Sequence, residues 1–311
     1  MRMKLQASKI LKQYGIVFVL FFVVIFFSIA NPKFAQLSNF ITVIRQTAIV
    51  CVCGVGMLFV LVSGGIDLSV GWMISAVCML AGHLMVNLKV NPILACLMVF
   101  CVMMAVGALM GLTIAKLRIA PFIVTMSFMN ILKGFSFLIT QGKSIYGLPP
   151  EFVVIGQEYY PIILMAVALL LGWFVLRRTY FGRHFYALGS NEEATRLSGI
   201  NVIKVKVATY MISAFFATFA GLIMLGRIKT ASAQLGTGYE FDVITACVLG
   251  GVGMSGGSGK VYHVLVGALL IAIINNGLII LQVSEYIQVI LKGLVLLLAV
   301  IYDCVQKNRK R

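Results

Sequence analysis

The chain has 311 residues, of which 61% are hydrophobic and only 11% are charged, and its formal net charge is +16. So small a charged fraction cannot cover the surface of a soluble domain, which excludes an ordinary soluble protein. The composition indicates an integral membrane protein. Its positive charge reflects its topology and contact with anionic lipid, so a nucleic-acid partner is not needed to explain it.

Apolar segments of about the 20 residues needed to cross a hydrocarbon core recur along the whole chain. They predict an all-α integral membrane protein, a single polytopic domain over residues 1–311 with ten transmembrane helices. In chain order, the predicted spans are 14–30, 41–62, 69–86, 92–115, 121–140, 161–176, 207–226, 241–253, 261–283 and 286–302. The eighth span is short.

The first span follows a basic segment, as a signal peptide does, but its apolar run is too long and no small-residue cleavage site follows. We therefore predict an uncleaved anchor with the N-terminus inside. In that orientation the inner segments carry 17 Lys and Arg residues and the outer loops carry five. This asymmetry predicts that both termini are cytoplasmic.

Charged residues inside the spans are few. On this topology all nine acids lie in loops or near span ends: Asp67, Glu151, Glu158, Glu192, Glu193, Glu240, Asp242, Glu285 and Asp303. A proton- or sodium-coupled carrier therefore lacks an obvious relay. Four basic residues do fall within spans, Arg45, His83, Lys133 and Lys292, and both a functional role and simple snorkelling or pairing near an interface stay open for them.

Uncharged polar side chains occur in the fifth and ninth spans: Thr125, Ser127, Asn130, Asn275 and Asn276. Hydroxyls and amides along a path suit a neutral, hydroxyl-rich solute better than an ion. They are candidate path residues, although hydrogen bonding to neighbouring helices explains them equally well. Because adjacent residues differ by about 100° around a helix, at most one of Asn275 and Asn276 faces a passage.

The only sizeable inner segment between spans covers residues 177–206. Ser190 and Glu193 have the spacing of a capping box, and Gly199 is suited to the left-handed residue that ends a helix. We predict a helix over 191–198. A helix so short needs something to pack on, either the inner surface of this chain or a separate cytoplasmic protein.

The stretch "GGVGMSGGSGKV", residues 250–261, resembles a nucleotide-binding loop. A phosphate-binding loop would need glycine where Met254 stands and Ser or Thr where Val261 stands. The dinucleotide fingerprint would need an acidic residue in the following unit, which is instead an apolar span. We therefore expect no nucleotide here: Gly253, Gly256 and Gly257 allow backbones to approach or hinge, or form a plain turn.

All seven cysteines fall in predicted spans or at the inner end of the last one, so none can bridge an outer loop. Cys51 and Cys53 have no His or carboxylate beside them, and alternate residues of a helix do not face each other. We predict no metal site.

Five segments carry a family resemblance: "SGGIDLSVG" (63–71), "PFIVTM" (121–126), "ALGSNEEATRLSGIN" (187–201), "GTGYEFDVITACVLGG" (236–251) and "NNGL" (275–278). Together, and in this order, they resemble the membrane permease subunit of bacterial ABC importers for simple sugars, the ribose type. Phe241 departs from the Leu expected there, and the glycine-rich segment also varies, but neither change alters charge.

The resemblance implies a multi-pass subunit of the bacterial cytoplasmic (inner) membrane that is not itself an enzyme and binds no cofactor. It implies a second permease chain, identical or different, cytoplasmic ATPase subunits with two ATPase domains that use ATP and Mg²⁺, and a periplasmic or lipid-anchored sugar-binding protein. It also implies a coupling helix that docks on the ATPase. The candidate coupling residues are Ala187, Leu188, Gly189, Ser190, Asn191, Glu192, Glu193, Ala194, Arg196, Ser198 and Gly199.

The helix dipole favours acids at helix starts, and Asp67, Glu240 and Asp242 are candidates for such positions. Together with Gly253, Gly256 and Gly257 they are candidate gate motifs. Glycines and an acid follow both span two and span seven, which run in opposite directions. This suggests an inverted repeat of 41–140 and 207–302, with the path between the halves or at a subunit interface.

Two other classes of function compete with a transport subunit. An ion-coupled secondary carrier would transport a small polar solute without an ATPase. An intramembrane enzyme would need a catalytic motif such as HExxH, which the sequence does not contain.

Overall fold

The structure is a computed structural model that describes residue 16 and residues 18–308. The basic flank of the first span, Arg2, Lys4, Lys9 and Lys12, lies outside the described residues. The helices are α1 Phe18–Ala30, α2 Leu37–Val62, α3 Val70–Gly82 with a π-helical turn His83–Asn87, α4 Pro92–Leu117, α5 Pro121–Leu138, α6 Pro150–Val153 with a 3-10 turn Val154–Gly156, α7 Tyr160–Arg178, α8 Tyr180–Ser190, α9 Glu192–Leu197, α10 Val202–Ile228, α11 Tyr239–Gly250, α12 Val261–Ile280 and α13 Glu285–Asn308.

The all-helical membrane fold is confirmed, and each of the ten predicted spans overlaps a helix, although residues 14, 15 and 17 of the first span lie outside the described residues. Within the described residues, eight helices are long and apolar enough to cross a membrane: α2, α3 with its π-helical turn, α4, α5, α7, α10, α12 and α13. The number of helices that do cross, and the cytoplasmic location of the termini, stay predictions.

The eighth span, 241–253, was predicted to be short, and its helix is short as well. Helix α11 has 12 residues and is about 18 Å long, well short of a hydrocarbon core of about 30 Å. Two glycines in the left-handed conformation limit it, Gly238 (φ 83°) before its first turn and Gly251 (φ 102°) after its last. The apolar run Val252–Gly253 that extended the prediction belongs to the following loop.

Helices α2 and α10 form the centre of the bundle. Every residue of α2 from Thr47 to Val62 is buried, whichever side of the helix it is on, which is the pattern of a helix surrounded by others. The two helices run antiparallel: the hydroxyl of Ser63, just after α2, lies 3.2 Å from that of Thr209 near the start of α10. Earlier in α2, Gly56 faces Ser213, one turn further along α10.

Glycines bring α4 against α10. Gly107 and Gly111 stand one turn apart, and a Cβ at either would lie 2.6 Å from α10 backbone, the Tyr210 carbonyl oxygen or the Val207 Cα. Such a small-residue stripe lets two membrane helices approach closely.

The packing has an internal symmetry. Helix α10 packs on α3 and α4, while α2 packs on α11 and α12; α5 packs on α3, while α13 packs on α11. Exchanging α2–α5 with α10–α13 leaves this pattern unchanged, in support of the predicted inverted repeat. The sequence retains a trace of it in α5 and α13, because Ile131-Leu132-Lys133-Gly134 recurs as Ile290-Leu291-Lys292-Gly293.

Segments predicted to share one side of the membrane lie together. At the predicted outer end, Ile145 and Ala231 form an antiparallel bridge, and the Gln157 amide donates to the Gly226 carbonyl (2.8 Å). At the predicted inner end, the Gly257 amide donates to the Val62 carbonyl (2.9 Å). The loops therefore sort into two groups, as the topology requires.

Candidate coupling and translocation sites

The inner segment 177–206 contains two helices, not one. Helix α8 was not predicted; Thr179 caps it, its hydroxyl accepting from the Gly182 amide (3.2 Å). Gly182, Phe185 and Leu188 recur every three residues on the buried face of α8. A threonine before this apolar spacing is the sequence signal that could have revealed the helix.

The predicted capping box is wrong. Ser190 is the last residue of α8, and its hydroxyl donates to the Tyr186 carbonyl (2.8 Å). The N-cap of α9 is Asn191, whose side-chain oxygen accepts from the Ala194 amide (2.9 Å). Asn191 has the extended backbone that a cap needs, whereas Ser190 is held in helical conformation by α8. Glu193 does not reach back and instead pairs with Arg196 (2.6 Å).

The predicted short helix itself is present, over Glu192–Leu197 instead of 191–198. Gly199 follows it with φ +80°, as predicted, and its amide donates to the Arg196 carbonyl (3.0 Å). Lys206 at the start of α10 holds α9 through both Glu192 carboxylate oxygens (2.7 and 2.8 Å). A cavity of about 150 Å³ lies beside this pair, between α9 and the ends of α2, α4 and α10.

Because Asn191 provides the cap, Asn191→Ala should destabilise α9 by about 1 kcal/mol, and the Ala194 amide should exchange hydrogen about fivefold faster. Hydrogen exchange followed by mass spectrometry of the purified chain checks this. Ser190→Ala serves as the matched control, since it leaves the cap intact. Equal effects of the two substitutions would restore the rejected capping box.

The glycine-rich loop 250–261 packs on α8 and α2. A Cβ at Gly256 would lie 2.9 Å from the Cα of Gly189, and one at Gly257 would lie 3.4 Å from the Cβ of Ser190. Both glycines have positive φ, +84° and +70°. Gly253 lies within the loop, where its amide donates to the Ser258 carbonyl (3.2 Å). The predicted close backbone approach is thus confirmed for Gly256 and Gly257.

The acid before α3 is buried, not placed at a surface end. Asp67 is 0% exposed, and its carboxyl group accepts from the Ser69 amide (2.9 Å), the Ser69 hydroxyl (2.6 Å) and the Ser213 hydroxyl (2.7 Å). Ser213 lies near the middle of α10, so the connection between α2 and α3 reaches about halfway into the bundle. Because Asp67 is buried and its carboxyl group accepts three hydrogen bonds, it holds the connection between α2 and α3 in place.

Two acids lie in the first turn of α11, as predicted, and both are buried. Asp242 accepts from the Lys292 ammonium of α13 (2.9 Å) and the Asn275 amide of α12 (3.2 Å). Glu240 packs against Gly71 of α3, and its Oε2 has no hydrogen-bond partner among the described residues. The Asp242 carboxylate therefore joins three helices, and Lys292 is paired instead of snorkelling.

The other basic residues within spans differ from Lys292. The Lys133 ammonium lies over the Trp72 ring, 5.2 Å from its centroid, and joins α5 to α3 as Lys292 joins α13 to α11. Arg45 and His83 each have one buried ring or guanidinium nitrogen without a partner among residues 18–308. The two lysines occupy corresponding places in the repeated tetrapeptide, which the sequence reasoning missed.

The candidate path residues separate into two groups. Thr125 is fully buried and donates to its own helix at Pro121; Asn276 is 5% exposed and accepts from Asn39 (2.9 Å). These two lie between helices of this chain, and their role in lining a path stays a prediction. Asn275, half-buried, is held by Asp242.

Ser127 and Asn130 are exposed on the surface of α5. Each bonds the carbonyl one turn back, Ile123 for Ser127 (2.8 Å) and Met126 for Asn130 (3.0 Å). With Gly134 they form a stripe of polar and small residues along one face of a membrane-length helix. We call Ser127, Asn130 and Gly134 the α5 stripe.

The sequence matches a family model described as a branched-chain amino acid transport system permease component, over residues 39–300. The ribose import permease protein RbsC of Bacillus subtilis (strain 168) is 38% identical over 301 residues, which cover 94% of this chain and 93% of that protein. The galactose/methyl galactoside import permease MglC of Haemophilus influenzae is 34% identical, over 99% of this chain and 98% of its own length. The L-arabinose transport system permease AraH of Escherichia coli (strain K12) is 32% identical, over 98% and 94%. No solved structure matches the chain.

Proposed function

The chain belongs to the permease family that this model defines, and from that premise we propose that it is the membrane subunit of a bacterial ATP-binding-cassette importer for a ribose-like sugar. The observation that carries the proposal is the 38% identity to a ribose import permease over nearly the full length of both chains. The sugars for which the other relatives are named, galactose and arabinose, support a small neutral sugar as the cargo.

In this proposal the energy comes from a partner. ATP and Mg²⁺ bind to cytoplasmic ATPase subunits, and a periplasmic or lipid-anchored protein delivers the sugar. Helices α8 and α9 are the docking element for the ATPase, since α9 is short, capped at both ends and fixed to α10 by the Glu192–Lys206 pair. Such a rigid element can transmit the motion of one subunit to another.

The second permease chain would face the α5 stripe. Polar groups on a membrane helix are costly where they contact lipid, so Ser127 and Asn130 favour a wet or protein-covered surface. Helix α7 differs, because Ile163, Leu170 and Phe174 in its membrane-length part are exposed and apolar, whereas α5 exposes polar residues beside apolar ones such as Ile123 and Ile131. We therefore assign the sugar path to the surface of α5, between two permease chains, and lipid contact to α7.

Single cysteines test this assignment. In a chain whose exposed or half-buried cysteines, Cys96, Cys101 and Cys304, have been replaced, Asn130→Cys and Ser127→Cys should react with a membrane-impermeant, water-soluble thiol reagent. Thr125→Cys should be protected because Thr125 is buried. Leu170→Cys is the matched control, since it is 64% exposed on a face assigned to lipid. Reaction at 170 but protection at 127 and 130, in resting and ATP-bound complexes, would contradict the assignment.

Reconstitution tests the function itself. Proteoliposomes that contain this chain, its ATPase and its binding protein should accumulate radiolabelled ribose only when ATP is supplied on the ATPase side. Competition by unlabelled galactose and arabinose ranks the cargo. Uptake by this chain alone, driven by a proton or sodium gradient, would show instead a secondary carrier.

A further inference from the structure

Three segments far apart in sequence meet at the predicted inner end of the bundle: the end of α2 with Gly64, the end of α8, and the loop 250–261. Gly189 at the end of α8 is in contact with the other two. A Cβ on Gly189 would overlap the Val62 carbonyl oxygen and would lie 2.7 Å from the Gly257 amide nitrogen. We call Val62, Gly189 and Gly257, with their immediate neighbours, the glycine joint.

Two hydrogen bonds fix the joint. The Gly257 amide donates to the Val62 carbonyl (2.9 Å), and the Tyr186 hydroxyl of α8 donates to the Gly259 carbonyl (2.6 Å). Tyr186 is half-buried, and burial raises the pKa of its hydroxyl, so the group stays a donor at neutral pH. Because these backbones touch with no side chains between them, side-chain rearrangement cannot absorb a displacement of one segment relative to another.

The joint connects the docking element to the far half of the protein. Its loop leads directly from α11 into α12, and a Cβ on Gly267 of α12 would overlap the Ala246 carbonyl of α11, so these two helices are also in backbone contact. Asp242 of α11 in turn holds Lys292 of α13. Backbone contacts and one ion pair therefore link α8 to α13.

We propose that Tyr186, Gly189 and Gly257 are positioning residues that make α8, the end of α2, α11 and α12 one rigid body, so that a displacement of α8 in the docking element moves these helices by the same amount. The inference rests on the proposed function for the meaning of that displacement, namely coupling ATP hydrolysis to sugar movement. It assigns the glycine-rich loop a mechanical role in place of the nucleotide-binding role that its spacing suggests.

The first test removes one hydroxyl group, and with it one hydrogen bond, from the glycine joint. In proteoliposomes with ATPase and binding protein, Tyr186→Phe should raise the ATP hydrolysed per sugar imported about fivefold, the change expected when one net hydrogen bond is lost. Gly189→Ala, which must push α8 away from α2, should raise it further. Tyr180→Phe is the matched control on the same helix, with a side chain that is 75% exposed. An unchanged ratio in both Tyr186→Phe and Gly189→Ala would overturn the proposal.

A second test restores the joint by another route. The Cβ of Ser190 and a Cβ at Gly257 would be 3.4 Å apart, close to the separation in disulfides. In Tyr186→Phe with Ser190→Cys and Gly257→Cys, oxidation should lower the ATP-to-sugar ratio about fivefold relative to the same protein reduced, reversing the loss of one hydrogen bond. If the joint must open during transport, oxidation will instead block import, and the rigid-body proposal fails.

A third measurement needs no transport. Hydrogen exchange of the Gly257 amide in the purified chain should be about fivefold faster in Tyr186→Phe than in Tyr180→Phe, as expected for the loss of one hydrogen bond. An equal rate in the two variants would count against the joint. Failure of the wild-type complex to import any sugar while the amide responds as expected would reject the proposed function and leave the joint intact.

Discussion

Replacing Asp67 by Ala should lower the free energy of unfolding by about 4 kcal/mol, because it removes one buried acceptor group shared by three donors. The Ser69 amide, the Ser69 hydroxyl and the Ser213 hydroxyl would lose their partner at a site where water does not replace it. Denaturant unfolding of the purified chain in detergent micelles measures the change.

Two matched variants show whether the hydrogen bonds are the cause. Asp67→Asn keeps an oxygen for Ser69 and offers an amide to the Ser213 hydroxyl, which can accept as well as donate, so we expect a loss of only about 1 kcal/mol. Ser213→Ala removes one donor and should cost about 1–2 kcal/mol. If Asp67→Asn is as destabilising as Asp67→Ala, the carboxyl group of Asp67 stabilises the fold by some means other than these hydrogen bonds.

Lys292→Met should lower the free energy of unfolding by about 3 kcal/mol, because it leaves the buried Asp242 carboxylate with one amide partner and no counter-charge. We expect the lower end of the range for a broken buried pair, since the Lys292 side chain is 32% exposed. Denaturant unfolding in micelles again provides the measurement. Adding Asp242→Asn to Lys292→Met should recover most of the loss, since neither charge of this pair then remains.

The repeated tetrapeptide provides a matched control for Lys292→Met. Lys133 occurs in the same tetrapeptide as Lys292 but lies over the Trp72 ring, so Lys133→Met should cost only about 0.5–1 kcal/mol. Equal losses for Lys133→Met and Lys292→Met would mean that the two positions are alike and that the Asp242 pair adds nothing.

The fold was predictable where apolar length decides it. Runs of about 20 apolar residues predicted the long helices, because the bilayer leaves few alternatives to a helix. The same logic predicted that α11 is short but placed its end at 253 instead of at Gly250, because the left-handed Gly251 lies within the predicted span. Hydropathy depends on residue type alone, so it does not detect a left-handed residue that ends a helix within an apolar segment.

The site was predictable only in part, because sequence spacing does not determine which hydrogen bonds form. Ser190 and Glu193 have capping-box spacing, yet α8 continues through Ser190 and transfers the cap to Asn191. Likewise, Thr125 and Asn130 are both polar residues of α5, and only packing decides that the first is buried and the second exposed. The repeated Ile-Leu-Lys-Gly could have been found from sequence, whereas the different partners of its two lysines could not.

The shortness of α11 has a consequence for how the protein is made. A 12-residue segment with two acids in its first turn is a poor substrate for entry into lipid on its own, since an acid at mid-membrane costs about 2.5–3.5 kcal/mol on insertion scales. The cation that pairs with Asp242 is 50 residues later in the chain, so at about 5–20 residues per second it leaves the ribosome about 3–10 s afterwards. During that interval we expect α11 to be sheltered by helices already inserted, α2 and α3, which pack on it. Membrane integration of this half of the protein is therefore a late, concerted event that is completed when α13 arrives.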